Sequence, residues 1–162
     1  MPARILLLGS SIVAKWPAPQ GLAVVNKGIS GLLARDLNDY AARVLAYRGS
    51  PSTVLVYCGG NDVRAGTDPK EVSDHITRFV DAVAKKWPAA TVVILEVLLS
   101  PSVRARPAYL RAARSINRAL RLYISKSPAI ELIAFSSENY TKDGTHLTAE
   151  GYRHLNSRIF LA

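Results

Sequence analysis

Cysteine is nearly absent from this chain: Cys58 stands alone among 162 residues, so no intrachain disulfide can form and no thiolate pair can hold a metal. A lone cysteine fits a reducing compartment, and the cytoplasm is the expected address. No apolar stretch approaches the roughly 18 residues a membrane-spanning helix needs. The N-terminal apolar run is cut by Gly9-Ser10-Ser11, and no small-residue cleavage site follows before Lys15-Trp16-Pro17, which separates it from a secretory leader. His-Glu-x-x-His, paired cysteines and Gly-x-Gly-x-x-Gly are all missing, so neither a metal nor an organic cofactor is expected. Acidic residues are scarce, 12 against 21 Lys and Arg, for a net charge of +9. Those basic residues are not gathered into a run. Their longest one-sided cluster is Arg111, Arg114, Arg118 and Arg121 at helical spacing, which reads better as a solvated helix face than as a polyanion grip. Nucleic acid is therefore not an expected partner, and the oligomeric state is left open.

What is present is ordinary for a folded chain: 49% hydrophobic and 20% charged residues, enough for one domain spanning 1–162. Arg4-Ile5-Leu6-Leu7-Leu8 reads as a buried strand stopped by Gly9-Ser10-Ser11, with a helical turn over Ile12 to Trp16. Leu22 to Val25 is a second strand running into the loop Asn26-Lys27-Gly28-Ile29-Ser30-Gly31. A helix follows with Leu33, Leu37, Tyr40, Ala41, Val44 and Leu45 on one face, broken by Gly49-Ser50-Pro51. Thr53 to Cys58 is apolar on both faces, as a central parallel strand should be, and ends in Gly59-Gly60-Asn61-Asp62. Asp68-Pro69-Lys70-Glu71 is a helix start, with Asp at the N-cap, Pro at N1 and Glu at N3. Thr91 to Leu95 is the fourth strand and feeds the loop Ser100-Pro101-Ser102. A further helix carries Leu110, Ala113, Asn117, Leu120 and Ile124 inward, and Ile130 to Phe135 is the fifth strand. Strand and helix alternate about five times. That predicts an α/β fold of three layers, α/β/α, around a doubly wound five-stranded parallel sheet of flavodoxin-like order 2-1-3-4-5. Such a sheet sets the ends of its first three strands side by side, so Ser11, Gly31 and Asn61 share one edge.

Asp143-Gly144-Thr145-His146 precedes the last helix, which Thr148 caps. An acid and an imidazole three residues apart in a tight turn can face one way, with the carboxylate on one ring nitrogen and the other free for a hydroxyl. Acyl transfer by serine needs that base, and it needs donors aimed where an oxyanion forms. The four blocks Gly9-Ser10-Ser11-Ile12, Asn26 to Gly31, Gly59-Gly60-Asn61-Asp62 and Asp143-Gly144-Thr145-His146-Leu147 resemble, in order and spacing, the signature blocks of the SGNH hydrolases, the GDSL esterase/lipase superfamily. The missing Gly-x-Ser-x-Gly elbow sets the chain apart from the α/β-hydrolase fold proper.

The resemblance implies a hydrolase of small or short-chain acyl esters: O-acetylated carbohydrates, lysophospholipids, acetylated lipid headgroups or thioesters. By the same resemblance Ser11 is the nucleophile, His146 the general base and then acid, and Asp143 its orienting partner. The Ser11 and Gly31 N–H groups and the Asn61 side chain are the oxyanion donors. The first block departs from the family in having Ser10 where an Asp is usual; Ser11 aligns with the family's serine. Trp16 and Tyr57 are candidates to line the acyl pocket, and Arg104 and Arg106 to receive an anionic substrate. The reading from another class is a non-catalytic module of the same fold that binds an anionic glycan, a lipid surface or nucleic acid through its basic face. A metal-dependent phosphoesterase using Asp62, Asp143 and His146 is a more distant third.

Overall fold

In the computed structural model, which describes residues 4–160, five branched, apolar runs become one parallel sheet. Its strands are β1 (Arg4–Gly9), β2 (Ala23–Asn26), β3 (Thr53–Tyr57), β4 (Thr91–Leu95) and β5 (Ile130–Ile133), in the order β2-β1-β3-β4-β5. That is the order the sequence predicts. Strands β1, β3 and β4 are buried on both faces beyond their first residue, which is why they read as unbroken apolar runs rather than alternating ones.

The two faces carry unequal cover. Leu6, Leu8, Val54, Val56, Val92 and Ile94 pack under α2 (Leu37–Val44), α4 (Pro69–Lys86) and α6 (Pro107–Ile124). Ile5, Leu7, Leu55, Tyr57, Val93 and Leu95 pack instead against the short α1 (Ser11–Ala14) and against α7 (Ala149–Ile159). At the start of α4, the Asp68 carboxylate accepts from the N–H groups of Lys70 and Glu71 at 2.9 and 3.1 Å, the cap its sequence predicts.

Three stretches differ from the sequence reading. The helix expected after Gly31 opens as a 3-10 turn over Ala34–Asp36 before α2 proper. Gly59-Gly60-Asn61-Asp62 is not only a turn; it begins α3 (Gly60–Ala65). Gly59 at φ +116° and Gly66 at φ +73° supply the left-handed ends that make so short a helix possible. Ser100 and Pro101 start a further short helix, α5 (Pro101–Arg104), where the sequence reads as loop. Asp62 explains α3: it is 1% exposed, and both its oxygens lie 3.1 Å from the Ala34 N–H, 28 positions back. Burial pushes its carboxyl above the usual range.

Candidate active site

Ser11 stands where β1 turns into α1, and glycine is obligatory at that turn. Gly9 has φ +142°, and a Cβ there would lie 1.9 Å from the Tyr57 carbonyl oxygen. The Gly9 N–H donates to the Tyr40 hydroxyl at 3.0 Å, and that hydroxyl donates to the Lys27 carbonyl at 2.8 Å. Burial pushes the Tyr40 hydroxyl up to about 12, so it stays a donor. The loop after β2 clasps α1 from the other side. Asn26 Nδ2 donates to the Val13 carbonyl at 2.7 Å, Asn26 Oδ1 accepts from Gly28 N–H at 2.8 Å, and Ile29 N–H donates to Gly9 O at 2.8 Å. A Cβ on Gly28 would meet Ala14 N at 2.3 Å, so the loop can lie this close only with glycine.

The turn before α7 brings the imidazole. Gly144, at φ +67°, lets the chain fold back so that Thr141 N–H reaches the His146 carbonyl at 2.8 Å. Asp143 Oδ1 accepts from Thr141 Oγ1 at 2.7 Å, Thr145 N–H at 2.8 Å and His146 N–H at 3.0 Å. Its Oδ2 lies 2.6 Å from His146 Nδ1. The Thr141 hydroxyl and the imidazole, with the backbone donors, hold the Asp143 carboxyl well below the usual carboxylate range. With Nδ1 donating to the carboxylate, Nε2 is left to accept, and it lies 3.0 Å from Ser11 Oγ, 135 positions away in the chain. The structure thus brings Ser11, His146 and Asp143 into one hydrogen-bonded chain.

Ser11 opens on a cavity of about 300 Å³, most of it mouth; its enclosed part has room for no more than about one water molecule. Tyr57, Leu98 and Val103 give it an apolar wall, while Asn61, Arg64 and Thr145 give it a polar one. Asn61 is fixed at both ends of its amide. Nδ2 donates to the Leu32 carbonyl at 3.1 Å and Oδ1 accepts from Arg64 at 3.4 Å, which leaves one N–H unassigned. The same guanidinium reaches the Gly60 carbonyl at 3.3 Å and Thr145 Oγ1 at 3.1 Å. Thr145 Oγ1 in turn lies 2.9 Å from Ser102 Oγ, and Ser102 Oγ 3.1 Å from Ser100 Oγ. Gly31, at φ +82°, precedes the residue whose carbonyl holds Asn61; it lines a neighbouring groove with Leu32 and Tyr40 rather than the cavity itself.

The other singled-out residues separate. Tyr57 lines the cavity, with the Leu98 N–H 3.5 Å from its hydroxyl. Trp16 does not: it is 4% exposed, packs against Tyr152 and Phe160, and donates to Asn156 Oδ1 at 2.7 Å. Arg104 faces a different cleft, between the ends of β4 and β5. Arg106 lies on the Tyr109 ring, 5.1 Å from its centroid. Cys58 is buried, and desolvation pushes its thiol far above the range of a nucleophile. Asp62, turned to Ala34, does not join Asp143 and His146, and among the described residues no three His, Cys, Asp or Glu converge to hold a metal ion. Sequence reasoning missed Arg64, Ser102 and Thr145; the i+3 spacing of Arg64 from Asn61 on one helix was the available signal for the first.

Residues 7–154 match the sequence model of the GDSL-like Lipase/Acylhydrolase family. A search of curated proteins finds no match. Solved structures match nearly end to end. A member of the lipolytic protein G-D-S-L family from Veillonella parvula is 18% identical, with 99% of each chain covered and a TM-score of 0.74. The psychrotrophic esterase EstA from Pseudoalteromonas sp., in a structure inhibited by monoethylphosphonate, is 19% identical over 97% of this chain and 94% of that one, at 0.71. A carbohydrate esterase family 3 protein from Talaromyces cellulolyticus is 18% identical over 97% and 94%, at 0.73. At such identities the likeness is one of fold.

Proposed function

The chain belongs to the GDSL-like lipase and acylhydrolase family of ester-hydrolysing enzymes, and on that footing we propose that it is a serine esterase acting on a small or short-chain acyl ester through an acyl-enzyme on Ser11. The observation that carries the reading is the 3.0 Å approach of His146 Nε2 to Ser11 Oγ, backed by Asp143 on the other ring nitrogen. Ser11 Oγ attacks the ester carbonyl carbon while His146 Nε2 takes the hydroxyl proton, and the imidazolium is held by the ionised Asp143. The carbonyl oxygen becomes an oxyanion facing the Ser11 N–H and the remaining Asn61 N–H, with the Gly31 N–H, on the neighbouring groove, as the third donor that the family resemblance implies. The Ser11 N–H, in the first turn of α1, has no carbonyl partner within its helix, which suits that role. As the C–O bond to the alcohol breaks, His146 returns its proton to the leaving oxygen. Water then repeats the sequence on the acyl-enzyme and releases the acid. The narrow enclosed space beside Tyr57, Leu98 and Val103 favours acetyl and similarly small acyl groups.

A fluorophosphonate probe tests the nucleophile: labelling is expected on the wild type and absent from Ser11→Ala. Labelling that survives Ser11→Ala removes the acyl-enzyme reading. With p-nitrophenyl esters, kcat/KM is expected to be highest for acetate and to fall towards decanoate. Asn61→Ala is expected to lower kcat by about 10²–10³.

A further inference from the structure

The stretch from Glu96 to Arg104 is a wall with two sides. Leu98, Ser100 and Val103 face the Ser11 cavity, whereas Glu96, Val97, Leu99 and Arg104 face a second cleft, of about 920 Å³ and open to solvent, between the carboxyl ends of β4 and β5. That is the edge at which an open α/β sheet binds ligands. The cleft is built around a fixed charge pair. Glu96, its side chain 8% exposed, continues the ladder by donating its N–H to Ile133 O at 3.0 Å, and its carboxylate holds Arg121 bidentately at 2.7 and 2.9 Å. That pair uses up Glu96. Arg104 and Arg114 also line the cleft, and neither makes an ion pair among the described residues. Glu138 is the remaining carboxylate of the lining, so two guanidinium groups without an ion-pair partner share the cleft with one acid and with the Ser136 side chain.

A carboxylate ligand would be satisfied by a single guanidinium fork, as Glu96 is by Arg121. Two further forks and a hydroxyl suit a group with three terminal oxygens and close to two charges. We propose that this cleft binds a phosphate-monoester group, and that it holds the alcohol half of a soluble substrate whose acyl half lies at Ser11. The inference rests on the esterase reading above. The apolar lining, Val97, Leu99, Ala134 and Phe135, is confined to the cleft, and among the described residues the exposed large hydrophobic side chains, Ile29 and Leu122, lie elsewhere; with no apolar surface continuing beyond the cleft for an acyl chain to lie on, a soluble substrate is favoured over a lipid.

The test compares 1-O-acetylglycerol with 1-O-acetylglycerol 3-phosphate on the wild type, on Arg104→Ala/Arg114→Ala, and on Arg111→Ala/Arg118→Ala, which removes equal charge from the same face outside the cleft. The wild type is expected to favour the phosphorylated ester in kcat/KM by roughly 10- to 100-fold. The preference should survive in the outer variant, collapse to within about threefold of unity in the cleft variant, and shrink with added salt. A wild-type ratio near one, or an equal ratio in wild type and cleft variant, overturns the proposal. So does a preference confined to long-chain lysophosphatidic acid over monoacylglycerol in micelles, which would make the source a lipid. If neither soluble ester is hydrolysed, the esterase reading is judged separately, by fluorophosphonate labelling and turnover of p-nitrophenyl acetate. The cleft is then judged by calorimetry of inorganic phosphate with Ser11→Ala: binding that disappears when Arg104 and Arg114 are also replaced supports it, and absence of binding refutes it.

Discussion

Asp143→Asn should harm this site more than Asp143→Ala, although it is the smaller change. In the native turn Oδ1 accepts from two backbone N–H groups, those of Thr145 and His146, while Oδ2 faces His146 Nδ1. An asparagine has one acceptor oxygen and one donor NH2. The two backbone donors draw the oxygen to the Oδ1 position, and the Thr141 hydroxyl adapts to either end. The NH2 is then forced against Nδ1, which must become the acceptor. The ring proton moves to Nε2, and Nε2 can no longer take a proton from Ser11.

Flipping the amide restores the working tautomer but strands both N–H groups, at about 1–3 kcal/mol each, or about 2–6 kcal/mol in all. That range leaves roughly one molecule in 30 to one in 20,000 in the productive arrangement. Because the Asp143 side chain is 48% exposed, water can serve the stranded groups in part, so the lower half of the range applies. In Asp143→Ala, by contrast, water can accept from Nδ1 and the correct tautomer survives. The expected order of kcat on p-nitrophenyl acetate is wild type, then Asp143→Ala, then Asp143→Asn, the last down about 30- to 1,000-fold. Circular dichroism confirms that each variant is folded, and Ser11→Ala sets the floor. An asparagine variant as active as the alanine one, or retaining a third of wild-type turnover, refutes the tautomer argument. The same carboxylate has a pH signature. It stays ionised in the fold at acidities where an unfolded chain's Asp takes a proton, so its contribution is complete above about pH 4 and fades as pH falls. The stability gap between wild type and Asp143→Asn should therefore narrow on acidification.

Arg64→Met should lower kcat by roughly tenfold, since it frees the amide of Asn61, and should cost almost nothing more in an Asn61→Ala background; fully additive losses would show that the two do not act together. Tyr40→Phe leaves the Gly9 N–H and the Lys27 carbonyl without their shared partner, which should cost about 2–4 kcal/mol in urea unfolding and speed amide exchange at Gly9; unchanged exchange there counts against the clasp. Asn117→Ala strips both backbone partners from Val97 and should destabilise by about 2–6 kcal/mol, a fall in Tm of at least about 4 °C; a smaller shift would mean that water replaces the amide.

The strand order and the Ser11, Asn61, Asp143 and His146 blocks were legible because each depends on residues within a few positions of one another: an apolar run, a glycine, an acid three before a histidine. Asn117 shows what was not. Its place on the inner stripe of α6 was readable, but its partner was not: Oδ1 and Nδ2 pair with Val97 N–H and O at 2.8 and 3.0 Å, 20 positions back. Asp62 hides α3 in the same way, since the N–H it satisfies belongs to Ala34. Trp16 and Arg104 were readable as lying near the sheet edge, but which wall a side chain faces depends on helix packing rather than on spacing along the chain. Trp16 turned to the core under α7, and Arg104 turned to the far side of its wall.

The hydroxyl and its imidazole lie 135 positions apart along the chain. A ribosome makes the first long before the second, so on the proposed mechanism the serine is without its base until residue 146 has been added. On that mechanism nucleophilicity arrives only when the turn before α7 folds, and a chain stalled upstream of residue 146 carries a serine that nothing activates.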